Sequence, residues 1–180
     1  MTRARDIANF GDGIATADIG DGQVTAGKLN STLDLTGKTV TLPSGVGGKV
    51  LNVVSEESTT AFSTSSTSFV ATTHTATITP SSTSSKIFII YSGLWCIEAA
   101  NTEVELTVRS NLNASDLGSS KFYSATASGF TCASIPFSYL HSPSSESAIT
   151  YTVHAKEGGV PGTISTSTSL KTLTLMEIAG

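Results

Sequence analysis

Apolar and polar residues alternate through most of the chain that follows residue 48. In the segment 148–156, for example, Ile149, Tyr151 and Val153 occupy one side and polar residues occupy the other. A period of two places successive side chains on opposite faces of a β-strand, so this pattern predicts strands with one buried face. Such segments recur at regular intervals between stretches rich in Ser, Thr, Gly and Pro, which is typical of a sandwich or jelly roll. The predicted strands are 49–54, 68–71, 75–79, 86–97, 104–109, 131–141, 148–156 and 172–179.

The segment 86–97 is apolar on both of its faces and reads KIFIIYSGLWCI. A strand of this kind is expected to be covered on both sides. Its aromatic residues Phe88, Tyr91 and Trp95 could form a platform for stacking sugars, but core packing is the favoured interpretation in so apolar a strand.

Aromatic residues outside that segment lie beside predicted loops. The Gly- and Ser-containing stretches 118–120 and 128–129 indicate turns, which would bring their neighbours to the surface. Packing in the core remains the simpler interpretation for each of these aromatic residues. The candidates for a surface contact are Phe122, Tyr123, Phe130 and Tyr139.

The first residues of the chain, TRARDIANF at 2–10, have a short helical pattern with Ile7 and Ala8 on one side. An isolated helix of this length is marginal in water, so it is expected to be ordered only against a partner. A short amphipathic segment with charged ends can lay its apolar face in a groove on another protein. A frayed terminus is the alternative. The residues expected to dock are Arg3, Arg5, Asp6, Ile7 and Phe10.

A short motif then occurs twice, as DGIATADI at 12–19 and DGQVTAGKL at 21–29. A unit this short buries little apolar area, so it needs copies of itself or neighbouring chains to be stable. The motif therefore predicts an extended stalk in an oligomer. The Gly- and Pro-rich segment 43–48 predicts a hinge. The predicted organisation is a docking segment at 1–11, a repeat stalk at 12–45 and a β-sandwich domain at 46–180.

The composition supports an all-β fold and excludes some partners. Hydrophobic residues make up 38% of the chain, charged residues 13%, and the net charge is −4. This apolar content is high enough to offset the entropy of ordering. Since no basic stripe exists, nucleic acid is not an expected partner. Since no apolar run approaches the roughly 20 residues that a spanning helix needs, membrane insertion is not expected either.

The cysteines and histidines form no recognisable ligand motif. Cys96 and Cys132 lie in apolar strand-like runs and are expected to be buried reduced thiols rather than a bridge. Two thiols without a nearby pair of histidines fall short of a zinc site. His74, His141 and His154 are too far apart in sequence to suggest a cluster, although folding could gather them.

Catalytic motifs are equally lacking in the sequence. The acidic residues of the β domain are expected to be solvated or to lie in turns. Glu98 and Glu177 lie closest to apolar strand runs, and they are the two to check for an unusual environment. The chain has no Gly-x-Ser-x-Gly turn, and the glycine-rich stretch 45–48 precedes a strand rather than the helix of a phosphate loop. No catalytic residue, cofactor or metal site is therefore predicted.

Several stretches carry a resemblance. They are TRARDIANFGDGI, GIATADIGDGQVTAGKL and GKTVTLPSGVGGKVLNVVS in the first part of the chain, and TATITPSSTSSKIFIIYSG, FSYLHSPSSESAITYTVHAK and TLTLMEIAG in the β domain. Together they resemble the short tail-fibre proteins of tailed bacteriophages, especially those of marine and cyanobacterial phages. The resemblance covers most of the chain. It implies that the N-terminal segment anchors the fibre to the virion, that three chains wind together, and that the C-terminal β domain meets the host surface.

The expected function is that of a non-enzymatic virion structural protein, a homotrimeric short tail fibre docked on the phage tail or on an adaptor protein. Its β domain would contact a host surface glycan or envelope protein, with Phe122, Tyr123 and Phe130 as possible host contacts. No apolar stretch follows the charged N-terminus, so no secretory signal is expected, which fits release by lysis. Because the motif has only two copies, a capsid or tail decoration protein without host contact is the alternative. A polysaccharide-depolymerising fibre, which would need paired carboxylates in a cleft, is a further one.

Overall fold

The computed structural model describes residues 49–125, 130–158 and 162–180. The chain divides into two units, Met1–Pro43 and Ser44–Gly180, and the described residues belong to the second. The predicted N-terminal helix at 2–10 and the predicted stalk at 12–45 lie outside the described residues, and so do the docking residues Arg3, Arg5, Asp6, Ile7 and Phe10.

The described residues form strands and no helix, which confirms the all-β prediction. The segments 68–71 and 75–79, predicted as separate strands, form one strand in which the register shifts between Ala71 and Thr75. Short strands at 62–64, 120–124 and 164–166 were not predicted, because so few residues show no clear period. The strands are β1 Val50–Ser58, β2 Phe62–Thr64, β3 Val70–Ile78, β4 Lys86–Ile97, β5 Thr102–Ser110, β6 Ser120–Ser124, β7 Thr131–His141, β8 Ile149–Glu157, β9 Ile164–Thr166 and β10 Lys171–Ile178.

The strands form two antiparallel sheets. In the first sheet, sheet A, the long strands follow the order β1-β10-β4-β7. The short strand β9 pairs with the last residues of β4, past the part of β4 that pairs with β10, and β2 pairs with β9. The strands β9 and β2 therefore lengthen sheet A along the direction of β4. The second sheet, sheet B, has the order β3-β8-β5-β6. This arrangement is compatible with the predicted β-sandwich.

The core lies between the two sheets and receives alternate side chains from each. Ile89 and Leu173 of sheet A and Leu106 and Val153 of sheet B belong to one continuous buried cluster. Full burial of an aliphatic side chain of this kind contributes about 1.5–3 kcal/mol. The alternation predicted for 148–156 is confirmed, because Ile149, Tyr151 and Val153 are all buried.

The strand predicted to be covered on both sides, β4, is covered on one side only by the described residues. Tyr91 and Trp95 face the core and are each 1% exposed, as the core-packing interpretation expected. Phe88, Ile90 and Leu94 alternate with them on the other face and are only partly buried. Core packing is therefore wrong for Phe88, whose side chain lies on the outer face of sheet A.

The cysteines are bonded to one another, which corrects the prediction of reduced thiols. Cys96 of β4 lies directly opposite Cys132 of β7. Their Cα atoms are 4.0 Å apart and their sulfur atoms 2.07 Å. The antiparallel register of β4 and β7 is what brings them together, since directly opposed residues of neighbouring strands project on the same face. The chain contains no further cysteine.

The directions of the strands sort the connections of the sandwich into two groups. At one end, the entry end, the described chain begins at Lys49, whose carbonyl oxygen accepts from the amide of Ala179 at 2.9 Å. The connections 79–85, 111–119 and 142–148 lie at this end too. The connections 65–69 and 98–101 lie at the opposite end, the far end, and so do the described residues Ala125, Phe130, Gly158 and Thr163. Backbone hydrogen bonds from Glu98 to Thr163 and from Glu157 to Ser66 join them there.

Candidate functional site

The short edge strand β6 places two neighbouring aromatic residues on opposite faces of sheet B. Tyr123 projects from the outer face and is 55% exposed. Phe122 projects the other way and packs against the core cluster. Successive side chains of a strand must diverge in this manner, so the Tyr123 ring, and not the Phe122 ring, is accessible on the outer face.

Phe130 precedes β7 at the far end and is 66% exposed, the largest exposed fraction among the large apolar side chains described. The strands β6 and β7 belong to different sheets, and the Ser124 hydroxyl donates to that of Thr131 at 3.3 Å where the two strands approach each other. Tyr123 and Phe130 therefore lie on the elements that flank the same connection, 125–130, of which residues 126–129 fall outside the described ranges.

Charged side chains share the outer face of sheet B with Tyr123. Glu103 of β5 lies directly opposite Tyr123. The Lys121 ammonium lies 2.8 Å from a Glu103 oxygen and 3.1 Å from a Glu105 oxygen, and Lys156 lies 3.1 Å from the same Glu105 oxygen. Tyr123 thus projects from the same face as this group of ion pairs, and aromatic side chains with a polar tip are common at interfaces.

The ion pairs of this cluster alter the pKa values of its members. The Glu103 and Glu105 carboxylates raise the pKa of Lys121. Burial would raise the pKa of Glu105, but hydrogen bonds from Lys121 and Lys156 outweigh it and lower that pKa. Lys121 and Glu105 therefore stay charged near neutral pH. Exposed pairs of this kind contribute at most about 1 kcal/mol each to stability.

Glu103 and Glu105 contact the same ammonium group. If the chain cleaved polysaccharide, these two residues would be the first to consider as its catalytic pair of carboxylates. They project from the outer face of a sheet, where Lys121 and Lys156 already neutralise them. A general acid needs a raised pKa, whereas that of Glu105 is lowered. This geometry does not favour the depolymerising alternative.

The carboxylates singled out in the sequence lie at opposite ends of the sandwich. Glu98 follows β4 at the far end, where it accepts from the Ser165 hydroxyl at 3.2 Å. Glu177 lies on β10 near the entry end and is 2% exposed. It accepts from the Ser81 amide at 2.7 Å, the Ser81 hydroxyl at 2.6 Å and the Ser85 hydroxyl at 2.7 Å. Of these two carboxylates, Glu177 has an unusual environment, because it is buried and holds the β3–β4 connection.

A polar crevice lies inside the sandwich between β3, β4 and β10. The imidazole of His74 is 4% exposed, and its Nε2 lies 3.1 Å from the Glu56 carbonyl oxygen. The Trp95 indole donates to the Tyr91 hydroxyl at 2.9 Å. Lys171 donates to backbone carbonyls of Ser167 and Ser169.

Burial dominates the pKa values in this crevice. It lowers the pKa of His74 and of Lys171, and it raises the pKa of Tyr91 to about 12. A tyrosine with so high a pKa remains protonated and does not act as a base. A glycine is required beside it, because a side chain at Gly93 would collide with the Tyr91 hydroxyl. The crevice thus has the character of a polar part of the core.

The histidines do not gather into a cluster. His141 Nδ1 lies 2.8 Å from the Tyr151 hydroxyl, and His154 Nδ1 lies 3.1 Å from the Thr152 carbonyl oxygen on its own strand. His74 lies in the crevice described above. Among the described residues, no group of three or more His, Cys, Asp and Glu side chains is placed to hold a metal ion.

No helix in the described part of the chain has the length and apolar character needed to cross a membrane.

The chain was compared with protein-family models and with curated proteins. No protein-family model and no curated protein matches it.

Proposed function

We propose that the chain is a virion structural protein, a short phage tail fibre that docks by its N-terminal segment and presents its β domain to a host surface. The observation that carries this proposal is the separation of the two ends of the sandwich. The preceding part of the chain joins at Lys49, at the entry end, while the exposed rings of Tyr123 and Phe130 lie at or near the far end. A fibre needs this polarity, since one end is tied to the particle and the other must be free.

The order of the strands gives a second line of support. The orders β1-β10-β4-β7 and β3-β8-β5-β6 match an eight-stranded jelly roll, which viral capsid and lectin domains use. Because one fold serves many functions, this is an analogy only.

The disulfide offers independent support. Cross-links of this type persist in oxidising surroundings, which include virion and cell surfaces, and are rare in the cytosol. The Cys96–Cys132 bond is therefore consistent with a protein that acts outside the cell.

Weak contacts suffice for the proposed role if the protein is trimeric. The aromatic rings and the charged and hydroxyl groups of sheet B offer modest contacts to a surface glycan or envelope protein. Three such sites on one fibre, and several fibres on one virion, raise the effective affinity without strong individual contacts.

The test is binding of the fluorescently labelled full-length chain to whole cells of a panel of marine bacteria and cyanobacteria. We expect binding to a subset of strains and a loss of about tenfold in the variants Tyr123→Ala and Phe130→Ala, which corresponds to roughly 1.4 kcal/mol. The matched control is Leu112→Ala, because Leu112 is 43% exposed but lies at the entry end. Binding to no strain would favour the decoration protein, and equal binding by all variants would remove the far end as the contact.

A further inference from the structure

The outer face of sheet A carries a row of apolar side chains that crosses all of its long strands. The register pairs Val53 of β1 with Met176 of β10, Met176 with Phe88 of β4, and Phe88 with Leu140 of β7. Paired residues of neighbouring strands project on the same side. We call these four residues the outer apolar row. Val53 is 52% exposed and Leu140 49%, and the two central residues are partly exposed.

Further apolar residues border this row. Val50 is paired with Ile178 on the side of the entry end, and Val50 is 46% exposed. Ile90 lies in the neighbouring row on the other side, between Thr174 and Ser138. The apolar surface therefore extends over neighbouring rows and is not a single stray residue.

The outer face of sheet B has the opposite character. Thr77 and Thr150 share a hydrogen bond of 2.8 Å there, and Glu105 is paired with Lys121 and Lys156. An antiparallel sheet with one solvated face normally carries polar residues on that face, as sheet B does. Contiguous exposed apolar surface on one sheet only is the mark of an interaction surface.

The position of the outer apolar row indicates which molecule covers it. It lies near the entry end, where Lys49 joins the preceding chain and is bonded to Ala179. On the proposed function, the residues before Lys49 wind together in three copies, which brings the three Lys49 residues close to one another. The surface beside Lys49 then faces a neighbouring copy.

The extent of the row suits such an assembly. A closed ring of three copies needs two different patches on each copy, because each contact is between unlike surfaces. The outer apolar row runs from the edge strand β1 to the edge strand β7. It therefore supplies one patch around Val53 and a second around Leu140.

We infer that the outer apolar row is the contact by which the β domains of neighbouring copies of this chain pack together in the fibre. The inference rests on the proposed function, since it assumes the stalked trimer. It goes further in assigning the contact to sheet A and in leaving the outer face of sheet B open to solvent.

The first test measures the mass of the full-length chain by light scattering. We expect a trimer for the unaltered chain and for Leu112→Lys, in which a leucine of similar exposure is changed on the β5–β6 connection. Because the wound stalk still joins the copies, we expect Leu140→Lys and Val53→Lys to dissociate into smaller species at a lower urea concentration than the unaltered chain. Circular dichroism checks folding, and because both residues project outward the spectra are expected to match that of the unaltered chain.

The second test is a cross-link that only neighbouring copies can form. In one copy, Val53 and Leu140 are separated by β10 and β4, so they lie about 14 Å apart at the usual strand spacing. A disulfide cannot span that distance within a copy. The double variant Val53→Cys with Leu140→Cys is expected to form covalent oligomers up to the trimer on a non-reducing gel, and Val53→Cys with Leu112→Cys is expected to remain monomeric on that gel.

The possible outcomes separate the inference from the proposed function. An unaltered chain that is trimeric, with lysine variants that dissociate at the same urea concentration and no cross-link, would overturn the inference and leave the fibre standing. The row would then be covered by residues 1–48 of the same copy or by another virion protein. A monomeric unaltered chain would overturn the trimeric fibre and the inference together.

Discussion

At the scale of single residues, the buried carboxylate of Glu177 has specific partners. Glu177 receives three hydrogen bonds from Ser81 and Ser85. Burial alone would raise the pKa of this carboxylate, but these donors outweigh burial and lower it. The sequence marks Glu177 only as an acidic residue in an apolar strand. Its partners come from a connection more than ninety residues earlier in the chain, and no local pattern could reveal them.

The first prediction concerns this carboxylate. Glu177→Gln should lower the free energy of unfolding by about 2 kcal/mol, because hydrogen bonds to a charged group contribute about 1.5–3 kcal/mol. Unfolding by urea measures the effect. The matched control is Glu98→Gln, which removes an exposed carboxylate with one hydroxyl donor and should change stability by less than about 0.5 kcal/mol. Equal effects of the two substitutions would contradict the role assigned to Glu177.

At the scale of elements, the strand β4 organises sheet A. It pairs with β7 along Ile87–Ile97 on one edge and with β10 and β9 on the other. Its bounds follow from the sequence because apolar residues occupy both of its faces. The disulfide cannot be predicted from the sequence, because it depends on the register between two strands that are distant in the chain.

The second prediction concerns the disulfide. Reduction, or the double substitution Cys96→Ala with Cys132→Ala, should lower the free energy of unfolding by about 4 kcal/mol, the chain-entropy value for a closed loop of this length. The separation between the cysteines is 36 residues. Denaturant midpoints with and without a reductant measure it. A reductant that leaves the midpoint of the unaltered chain unchanged would contradict the bond, and it should have no effect on the double variant.

At the scale of the whole molecule, the histidines give the β domain a common dependence on pH. Burial lowers the pKa values of His74, His141 and His154 from the ordinary value of 6.5. A histidine whose pKa is lowered by folding binds its proton more readily in the unfolded state. Its contribution to stability is therefore complete above pH 6.5 and is lost as the pH falls below that value through the folded-state pKa.

The third prediction follows from this sign. The melting temperature should be constant between about pH 7 and 8 and should fall on acidification below about pH 6.5. Calorimetry across this range measures it. His74→Gln should reduce the slope, since His74 is the most buried of the three histidines. A melting temperature that rises on acidification would contradict the neutral state of these side chains.

The sequence by itself determined the class of the fold and the faces of its main strands, because alternation is a local consequence of strand geometry. It predicted the bounds of β4 and the inward side of β8 correctly. It named Phe122 and Tyr123 together, and the same alternation that it reveals sends them to opposite faces.

The tertiary structure alone decided what depends on register and on strand order. Pairing between distant strands joined Cys96 to Cys132, gave Glu177 its donors, and aligned Val53, Met176, Phe88 and Leu140 into one apolar row. The order of the strands placed Lys49 at one end and Phe130 at the other. These contacts join residues far apart in the chain, and since many registers satisfy the same alternation, only packing of the complete core selects one of them.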